Sequence, residues 1–494
     1  MKCGKIANTI EGRLLISILE RKRGHFMKRA IGFLLCLLII FSVLTGCRRY
    51  EPIVDLAETA DGQPESEGGP EPDLEETAET DTQPVQDSGK AEEPVISISN
   101  IPERTPVKVK GIYLTANTAG SSGRMDEIIG YLDQTELNAV VIDVKDDFGN
   151  VTFEMDSPAV NEIDAVKTYI GDIEGLAGKL KEHGVYMIAR IPAFRDPYLA
   201  EKKPEWCLKL ADGTIYKDNK GQAWVNPYKK EVWDYLVEIG KKAGEAGFDE
   251  IQFDYVRFCT ERGMGDVVFE EEDTKGRDKT QIISEFIQYA YEELTAEGLF
   301  VSADVFGTII NSATDAQIVG QSYGEMSASL DYICPMIYPS HYGNGNFGVD
   351  YPDTKPYETI LGALTGSKEE LKKFETDGES QAVVRPWLQD FTASYLKHYI
   401  PYGDAEIRAQ IQAVYDAGYD EWILWSAANR YHYGGLLTPE AAQAEEAAIA
   451  ESRAALPPET EPETAPLESA PETIPSETEP ETAVSETSGV QANE

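Results

Sequence analysis

The sequence alternates eight times between a short strand-like segment and a segment of helical period. Strand-like runs rich in β-branched and aromatic residues occupy 109–115, 139–146, 185–194, 250–258, 300–307, 331–340, 381–391 and 421–429. Amphipathic helical patterns lie between most of them, at 172–182, 229–245, 281–297 and 405–417, with a weaker one near 313–326. This alternation predicts an α/β fold, the (β/α)₈ or TIM barrel.

Glycine placement and the lack of a nucleotide loop that opens a helix both favour the barrel over the alternative fold. Gly184, Gly247 and Gly298 each stand just before a strand-like run, which suits the end of a helix. An open, doubly wound sheet is built from the same units. The sequence has one Gly-x-Gly-x-x-Gly string, at 343–348 after the sixth strand-like run, but it opens none of the helical patterns, and this weakens the open-sheet alternative.

The composition of the two ends separates them from the barrel. Segment 51–103 has sixteen acidic residues against one basic residue, and segment 451–494 has eleven against one. Neither segment can bury enough apolar surface to offset the entropy lost on ordering. We therefore predict disordered acidic segments at 48–105 and 451–494, flanking one large domain at 106–450.

The N-terminus carries a targeting signal. Met27 begins a basic start, 30–43 is an apolar core, and Leu44-Thr45-Gly46-Cys47 follows. This pattern resembles a bacterial lipoprotein signal, in which the cysteine takes the lipid. An ordinary transmembrane anchor is the alternative, but the apolar run is short for a span. We expect a signal segment at 1–47. Residues 1–26 either come from a start assigned too far upstream of Met27 or extend the basic region of the signal. Lipidation at Cys47 would place the protein on the extracytoplasmic face of the bacterial membrane.

Cysteine, histidine and charge patterns exclude several classes of function. Three cysteines remain beyond the signal, Cys207, Cys259 and Cys334, an odd number without metal-type spacing. The five histidines form no pair at ligand spacing, so a zinc hydrolase is disfavoured and no cofactor is expected. A net charge of −43 argues against a nucleic-acid partner. A monomer is expected, and a divalent ion among the aspartates stays open.

Polar residues recur on one face of the strand-like runs. Both faces of a barrel strand are buried, so these polar residues should point into the lumen. The shared face carries Asp143 and Lys145, Arg190, Gln252 and Asp254, Ser302 and Asp304, Met336 and Tyr338, Arg385, Trp387 and Gln389, and Trp425. The mouth of the barrel should therefore hold carboxylates, cations and aromatic rings.

This mixture suits the hydrolysis of a glycosidic bond, which needs two carboxyl groups flanking that bond. Asp254 and Asp304, at the ends of adjacent strands, are the candidate nucleophile and general acid/base. The candidate substrate-binding residues are Arg190, Arg257, Tyr338, Trp387, Gln389 and Trp425. Asp143 and Lys145 are expected to support the floor of the site. The alternative for each Asp–Arg or Asp–Lys pair is a purely structural ion pair in the barrel core.

Seven segments together resemble a known family. They are Val-Lys-Gly-Ile-Tyr-Leu at 109–114, Val-Ile-Asp-Val-Lys-Asp-Asp-Phe-Gly at 141–149, Ile-Ala-Arg-Ile at 188–191, Phe-Asp-Tyr-Val-Arg-Phe at 253–258, Asp-Val-Phe-Gly at 304–307, Pro-Met-Ile-Tyr-Pro-Ser-His-Tyr at 335–342 and Arg-Pro-Trp-Leu-Gln-Asp-Phe at 385–391. They resemble the bacterial "putative glycoside hydrolase" domain family over about 107–433. The resemblance implies a TIM barrel related to sugar hydrolases. Cys259 and Ser426 depart from the expected proline and asparagine.

A more distant likeness to the Asp-x-x-Asp-x-Asp-x-Glu motif of chitinases fails at two positions. Laid on 249–256, the motif meets Gln252 in place of its second aspartate and Val256 in place of its acidic glutamate. The missing acid disfavours substrate-assisted chemistry. The arrangement of a nucleophile on strand four and an acid on strand five resembles that of the α-amylase-like clan more than that of the chitinases. Because the two carboxyl groups stand on adjacent strands, we predict a retaining reaction. The expected function is hydrolysis of a polysaccharide or cell-wall glycan by a lipid-anchored enzyme. The alternatives are a non-catalytic glycan-binding protein and a structural envelope lipoprotein.

Overall fold

The structure, a computed structural model, describes residues 104–376 and 380–455. Eight parallel strands form its centre: β1 (Lys110–Leu114), β2 (Ala139–Asp143), β3 (Tyr186–Pro192), β4 (Glu250–Asp254), β5 (Phe300–Phe306), β6 (Tyr332–Ile337), β7 (Trp387–Gln389) and β8 (Trp422–Trp425). Each strand pairs with the next, and β8 pairs with β1 to close the ring. The predicted (β/α)₈ barrel is confirmed.

Helices surround the barrel. Those of eight residues or more are Ser122–Leu132, Ile173–Glu182, Lys230–Glu245, Lys279–Thr295, Pro356–Lys372, Asp404–Asp416 and Pro439–Ala454. Shorter helices are Ala116–Ala119, Pro158–Glu162, Pro197–Lys202, Glu271–Thr274, Ala313–Val319 and Tyr323–Ser327, the last two in the weakly predicted region. Two-residue strands Lys209–Leu210 and Val267–Val268 pair in a small sheet, and Val383–Val384 pairs with β6. Among the described residues, no helix combines the length and apolarity needed to cross a bilayer.

The strands end earlier than the alternation of the sequence predicts. The prediction for the second strand runs to residue 146 and that for the fourth to residue 258, whereas β2 ends at Asp143 and β4 at Asp254. Directly after β4, Tyr255 has a φ of 47°, a conformation that breaks a strand. The residues beyond these points belong to loops at the mouth, so period-two alternation no longer decides where their side chains point.

Left-handed glycines end three helices as predicted. Gly184, Gly247 and Gly298 have φ values of 68°, 108° and 80°. Residues with a Cβ rarely adopt this conformation, so glycine allows the chain to turn directly from helix to strand.

Below the mouth, the lumen contains a network of buried charged side chains in addition to apolar ones. Arg385 donates hydrogen bonds to both carboxylate oxygens of Glu250, at 2.8 and 3.0 Å, and to Glu421 at 2.8 Å. Ser302 and Tyr186 donate further hydrogen bonds to Glu250. Because every partner is buried, this network closes the barrel below the mouth.

Arg104 ties the first described residues to the bottom of the barrel. Its guanidinium donates hydrogen bonds to both carboxylate oxygens of Asp331, at 2.7 and 3.0 Å, and to the carbonyl of Leu299 at 2.8 Å. It also lies over the ring of Phe300, 4.5 Å from the centroid. These partners stand at the N-terminal ends of β5 and β6, so the chain enters on the face opposite the mouth.

The chain divides into two compact units, residues 1–443 and 444–494. Of the first, the structure describes the barrel; of the second, it describes residues 444–455, which are helical as far as Ala454. The predicted signal segment with Cys47 lies outside the described residues. So do nearly all of the two predicted acidic segments.

Candidate active site

A cleft opens at the C-terminal ends of the barrel strands. Residues from β3 to β8, together with the loops after β2 and β4, line it: Asp147, Arg190, Asp254, Tyr255, Arg257, Asp304, Phe306, Met336, Tyr338, Trp387 and Trp425. This face holds the active site in TIM-barrel enzymes, because the loops there gather side chains from several strands. Asp254 and Asp304 share this cleft, as the parity of their strands predicts.

Asp254 is held from two sides. Its Oδ2 accepts hydrogen bonds from Arg190 Nε at 3.0 Å and from Arg190 Nη2 at 2.6 Å. Its Oδ1 accepts a hydrogen bond from the backbone N–H of Tyr255 at 2.6 Å. Charge-assisted hydrogen bonds of this kind fix both the position and the orientation of a carboxylate. Asp254 is thereby presented to the cleft in a single orientation.

The backbone turn at Tyr255 is part of this arrangement. Its positive φ is unusual for a residue with a bulky side chain, and such strain is found most often at functional sites. The Tyr255 hydroxyl accepts a hydrogen bond from Arg195 at 2.8 Å, and the Arg195 guanidinium lies 4.8 Å from the ring centroid. These contacts hold the turn that aims an N–H group at Asp254.

Arg190 joins three carboxylates. Besides Asp254, it donates hydrogen bonds to Asp143 at 2.7 Å and to Asp147 at 2.9 Å. The hydroxyl of Tyr113 donates a further hydrogen bond to Asp143 at 2.6 Å. Burial raises the pKa of Asp143 to about 7, although the charge of Arg190 opposes this shift. Arg190 is thus the central cation of the cleft floor.

Asp304 has the opposite environment. It lies near the end of β5, and its Oδ1 accepts a hydrogen bond from Trp387 Nε1 at 2.6 Å. Burial raises the pKa of Asp304 well above its ordinary value, and the nearby charge of Asp254 raises it further. Burial therefore favours the protonated form of Asp304. The cleft therefore combines a proton-holding acid with a cation-paired carboxylate.

Aromatic rings form the remaining walls. Trp425 stacks on Tyr113 with 4.2 Å between ring centroids and meets Trp387 edge-on at 5.6 Å. Across the cleft, the guanidinium of Arg257 lies 4.4 Å from the ring centroid of Phe306. Rings that pack on one another in this way are rigid, so they offer fixed faces to a ligand.

The structure brings most of the predicted substrate-binding residues to the cleft. Arg190, Arg257, Tyr338, Trp387 and Trp425 all line it. Asp143 lies beneath Arg190 as part of the floor, bonded to Arg190 and Tyr113.

Two predicted residues lie elsewhere. Lys145 pairs with Asp196 at 2.7 Å and bonds the carbonyl of Pro192, fully buried. The prediction was wrong because β2 ends at Asp143, so alternation no longer applies two residues later. Gln389 is also fully buried, and its amide donates hydrogen bonds to Asp353 at 3.0 Å and to the carbonyl of Phe391 at 3.1 Å. It braces loops and does not reach the cleft.

Four lining residues were not among the site residues predicted from the sequence: Asp147, Tyr255, Phe306 and Met336. The hydrogen bond of Asp147 to Arg190 joins residues far apart in sequence. Met336 was predicted to share the lumen face but was given no role. Tyr255 directly follows Asp254, and Phe306 lies two residues after Asp304 on the same face of β5, so their positions beside the two key aspartates were the signal that would have found them.

The described part of the chain, residues 104–376 and 380–455, contains no group of three or more His, Cys, Asp or Glu side chains arranged to hold a metal ion.

Comparison with known proteins gives one family match. The model of a family described as "putative glycosyl hydrolase domain" matches residues 111–431. These residues extend from β1 to the loop after β8, so the match includes every side chain that lines the cleft. No curated protein sequence matches the chain.

Several solved structures are similar to the chain. A hypothetical protein from Ruminiclostridium thermocellum is 41% identical, with a TM-score of 0.37, over 39% of this chain and 97% of that one. The glycoside hydrolase domain of PgaB from Bordetella bronchiseptica is 13% identical, with a TM-score of 0.47, over 69% and 98%. An alpha-L-fucosidase from Paenibacillus thiaminolyticus is 16% identical, with a TM-score of 0.42, over 70% and 50%.

Proposed function

The chain belongs to the putative glycosyl hydrolase domain family, and on that premise we propose that it hydrolyses O-glycosidic bonds in a polysaccharide or cell-wall glycan. One observation carries the proposal: two carboxyl groups of opposite character share one cleft. Asp254 is paired with Arg190, whereas Asp304 is buried, which raises its pKa and favours its protonated form. Glycoside hydrolysis needs both kinds of carboxyl group on either side of the bond that breaks.

The roles follow from these environments. Asp304 donates its proton to the glycosidic oxygen as the bond to the anomeric carbon breaks. Asp254 attacks that carbon and forms a glycosyl-enzyme. Asp304, now ionised, takes a proton from the water that releases the sugar, so the anomeric configuration is retained. Arg190 keeps the attacking oxygen of Asp254 oriented throughout this sequence.

Substitution of the two aspartates tests these roles. Asp254→Asn removes the nucleophile but preserves its shape, so hydrolysis should fall by several orders of magnitude. Asp304→Asn should impair glycosides with poor leaving groups far more than activated aryl glycosides, because only the former need the proton. Asp126→Asn is the matched control, since Asp126 is exposed and pairs with Lys179 on the helical layer. Rates on a panel of aryl glycosides and polysaccharides provide the measurement.

Two results would contradict this assignment. Near-normal turnover by the Asp254→Asn variant would place the nucleophile elsewhere. If no glycan is cleaved but one binds in the cleft, the chain is a glycan-binding protein on the same fold, because fold alone does not fix activity.

We further propose that the enzyme acts outside the cytoplasm, anchored by a lipid on Cys47. The support is the sequence Leu44-Thr45-Gly46-Cys47 after a short apolar run.

A further inference from the structure

The loops after β6 and β7 are joined into one body at the mouth. The Gln389 side chain accepts a hydrogen bond from the backbone N–H of Ser340 at 3.0 Å and donates one to Asp353 at 3.0 Å. The hydroxyl of Tyr402 donates to the carbonyl of Asp353 at 3.1 Å. Because each bond joins one loop to the strand end or loop of its neighbour, the two loops form one rim.

This rim exposes three tyrosines. Tyr351, Tyr395 and Tyr399 are 38%, 48% and 42% exposed. Tyr351 stacks on His398 with 4.0 Å between ring centroids, so this ring is held across the two loops. Tyr395 hydrogen-bonds the side chain of Ser340, two residues after the cleft residue Tyr338. The exposed rings therefore stand on loops that follow β6 and β7, and the first of these loops contributes Tyr338 to the cleft.

A fourth ring stands on the loop after β2. Phe148 is 56% exposed and directly follows the cleft residue Asp147. The loop is rigid, because Asp146 accepts hydrogen bonds from the backbone N–H groups of Phe148 and Asn150 at 2.9 and 2.8 Å. Burying such a ring would be favourable, and here the loop holds it in water.

The order of the strands places these rings on opposite sides of the cleft. In a closed ring of eight strands, β2 and β6 are diametrically opposed, and β4 lies midway between them. A ligand that touches both Phe148 and the tyrosine rim would therefore cross the mouth between β4, which carries Asp254, and β8, which carries Trp425. Exposed rings thus stand on loops at both sides of the mouth.

We propose that a polymeric glycan crosses the mouth from Phe148 to Tyr351, Tyr395 and Tyr399, and that the enzyme consequently cleaves interior bonds of the polymer. This proposal rests on the proposed function. The apolar C–H faces of pyranose rings pack against flat aromatic rings, whereas their hydroxyl groups stay in water. Exposed rings that stand apart along a path suit a chain of sugar units. A protein partner would instead require one continuous apolar surface.

The first test measures binding without turnover. In the Asp254→Asn background, affinity electrophoresis is run in gels that contain soluble starch, carboxymethyl-cellulose or glycol chitin. At least one polymer should retard the protein. Replacing Phe148, or Tyr395 and Tyr399 together, with alanine should weaken that binding by about tenfold or more. Phe374→Ala is the matched control: Phe374 is 39% exposed but precedes β7, away from the mouth, so retardation should not change.

The second test measures the products of the otherwise native enzyme. Internal cleavage lowers the viscosity of the polymer before small sugars accumulate, whereas cleavage from an end releases small sugars from the start. The rim variants should lose more activity on the polymer than on an activated aryl glycoside.

These outcomes test the binding path across the mouth separately from the proposed hydrolysis. No retardation by any of the three polymers, or equal retardation of the rim variants and their parent, overturns it even if aryl glycosides are hydrolysed. Release of small sugars from the start overturns the internal cleavage. If polymers bind through the rim but nothing is hydrolysed, the binding path stands and the proposed enzymatic function fails.

Discussion

At the scale of single residues, the site depends on two aspartates with different surroundings. Asp254 is bonded by Arg190 and by a backbone N–H group, whereas Asp304 is buried against Trp387. A buried carboxyl group with a raised pKa costs stability at pH values above its ordinary pKa, because the same group ionises freely in the unfolded chain. The acid function of Asp304 and its stability cost thus have one cause.

This cost predicts the effect of Asp304→Asn on stability. The folded pKa of Asp304 lies above its ordinary value of 3.8. The stability that the protonated carboxyl group contributes is fully present below pH 3.8. It is lost as the pH rises toward the folded pKa, by up to about 1.4 kcal/mol per pH unit. Asparagine cannot ionise and still accepts the hydrogen bond from Trp387. The free energy of unfolding of the variant, relative to that of the wild type, should therefore increase from pH 4.5 to pH 7.5.

Chemical denaturation of both proteins at the two pH values checks this prediction, with Asp126→Asn as the control. A stability difference that stays constant with pH would mean that Asp304 is ionised in the folded protein at pH 7.5.

Also at the residue scale, the alternation of polar and apolar residues predicts where side chains point within strands but not in the loops that follow them. Within β4 the period of two holds, and Asp254 reaches the cleft as predicted. Lys145 fails because β2 has already ended, and its partner Asp196 comes from the loop after β3. The role of Asp147 depends on Arg190, which a different strand supplies. Sequence periodicity therefore predicts strand faces, while loop contacts depend on the assembled barrel.

At the scale of elements, β4, β7 and the start of β8 are joined by the buried group of Glu250, Arg385 and Glu421. Its ion pairs are fully enclosed, with Arg385–Glu250 and Arg385–Glu421 distances of 2.8 Å. Removing one member of a buried pair leaves an uncompensated charge. The number and order of the strands could be predicted from the sequence, but this group could not, because its members come from three distant segments.

Arg385→Met should therefore be strongly destabilising, by about 3–5 kcal/mol, since two buried carboxylates lose their cation. Arg124→Met is the control for an exposed arginine: Arg124 pairs with Glu127 at the surface, where an ion pair contributes about 1 kcal/mol or less, and donates one hydrogen bond to the Asn429 carbonyl at 2.9 Å. Denaturant midpoints of the two variants give the comparison. Similar small losses in both would show that the barrel core tolerates the unpaired carboxylates.

At the scale of the whole molecule, membrane attachment should depend on one cysteine. Cys47→Ala should move the protein from the membrane fraction to the soluble fraction while the barrel stays folded, because the described core begins beyond that segment. Cys36→Ala is the control, since Cys36 lies before the expected processing point. Fractionation and mass spectrometry of the mature protein decide the matter, and an unmodified Cys47 would disprove lipidation.

The attachment of Arg104 beneath β5 and β6 decides on which side of the barrel a tether would arrive. A chain from Cys47 would join the barrel at its base, so the tether would leave the mouth uncovered. If segment 48–105 is disordered, as its composition predicts, a connection of this length would have an average reach of roughly 40 Å. A barrel held in this way would keep its mouth open to glycans in the layer around the membrane.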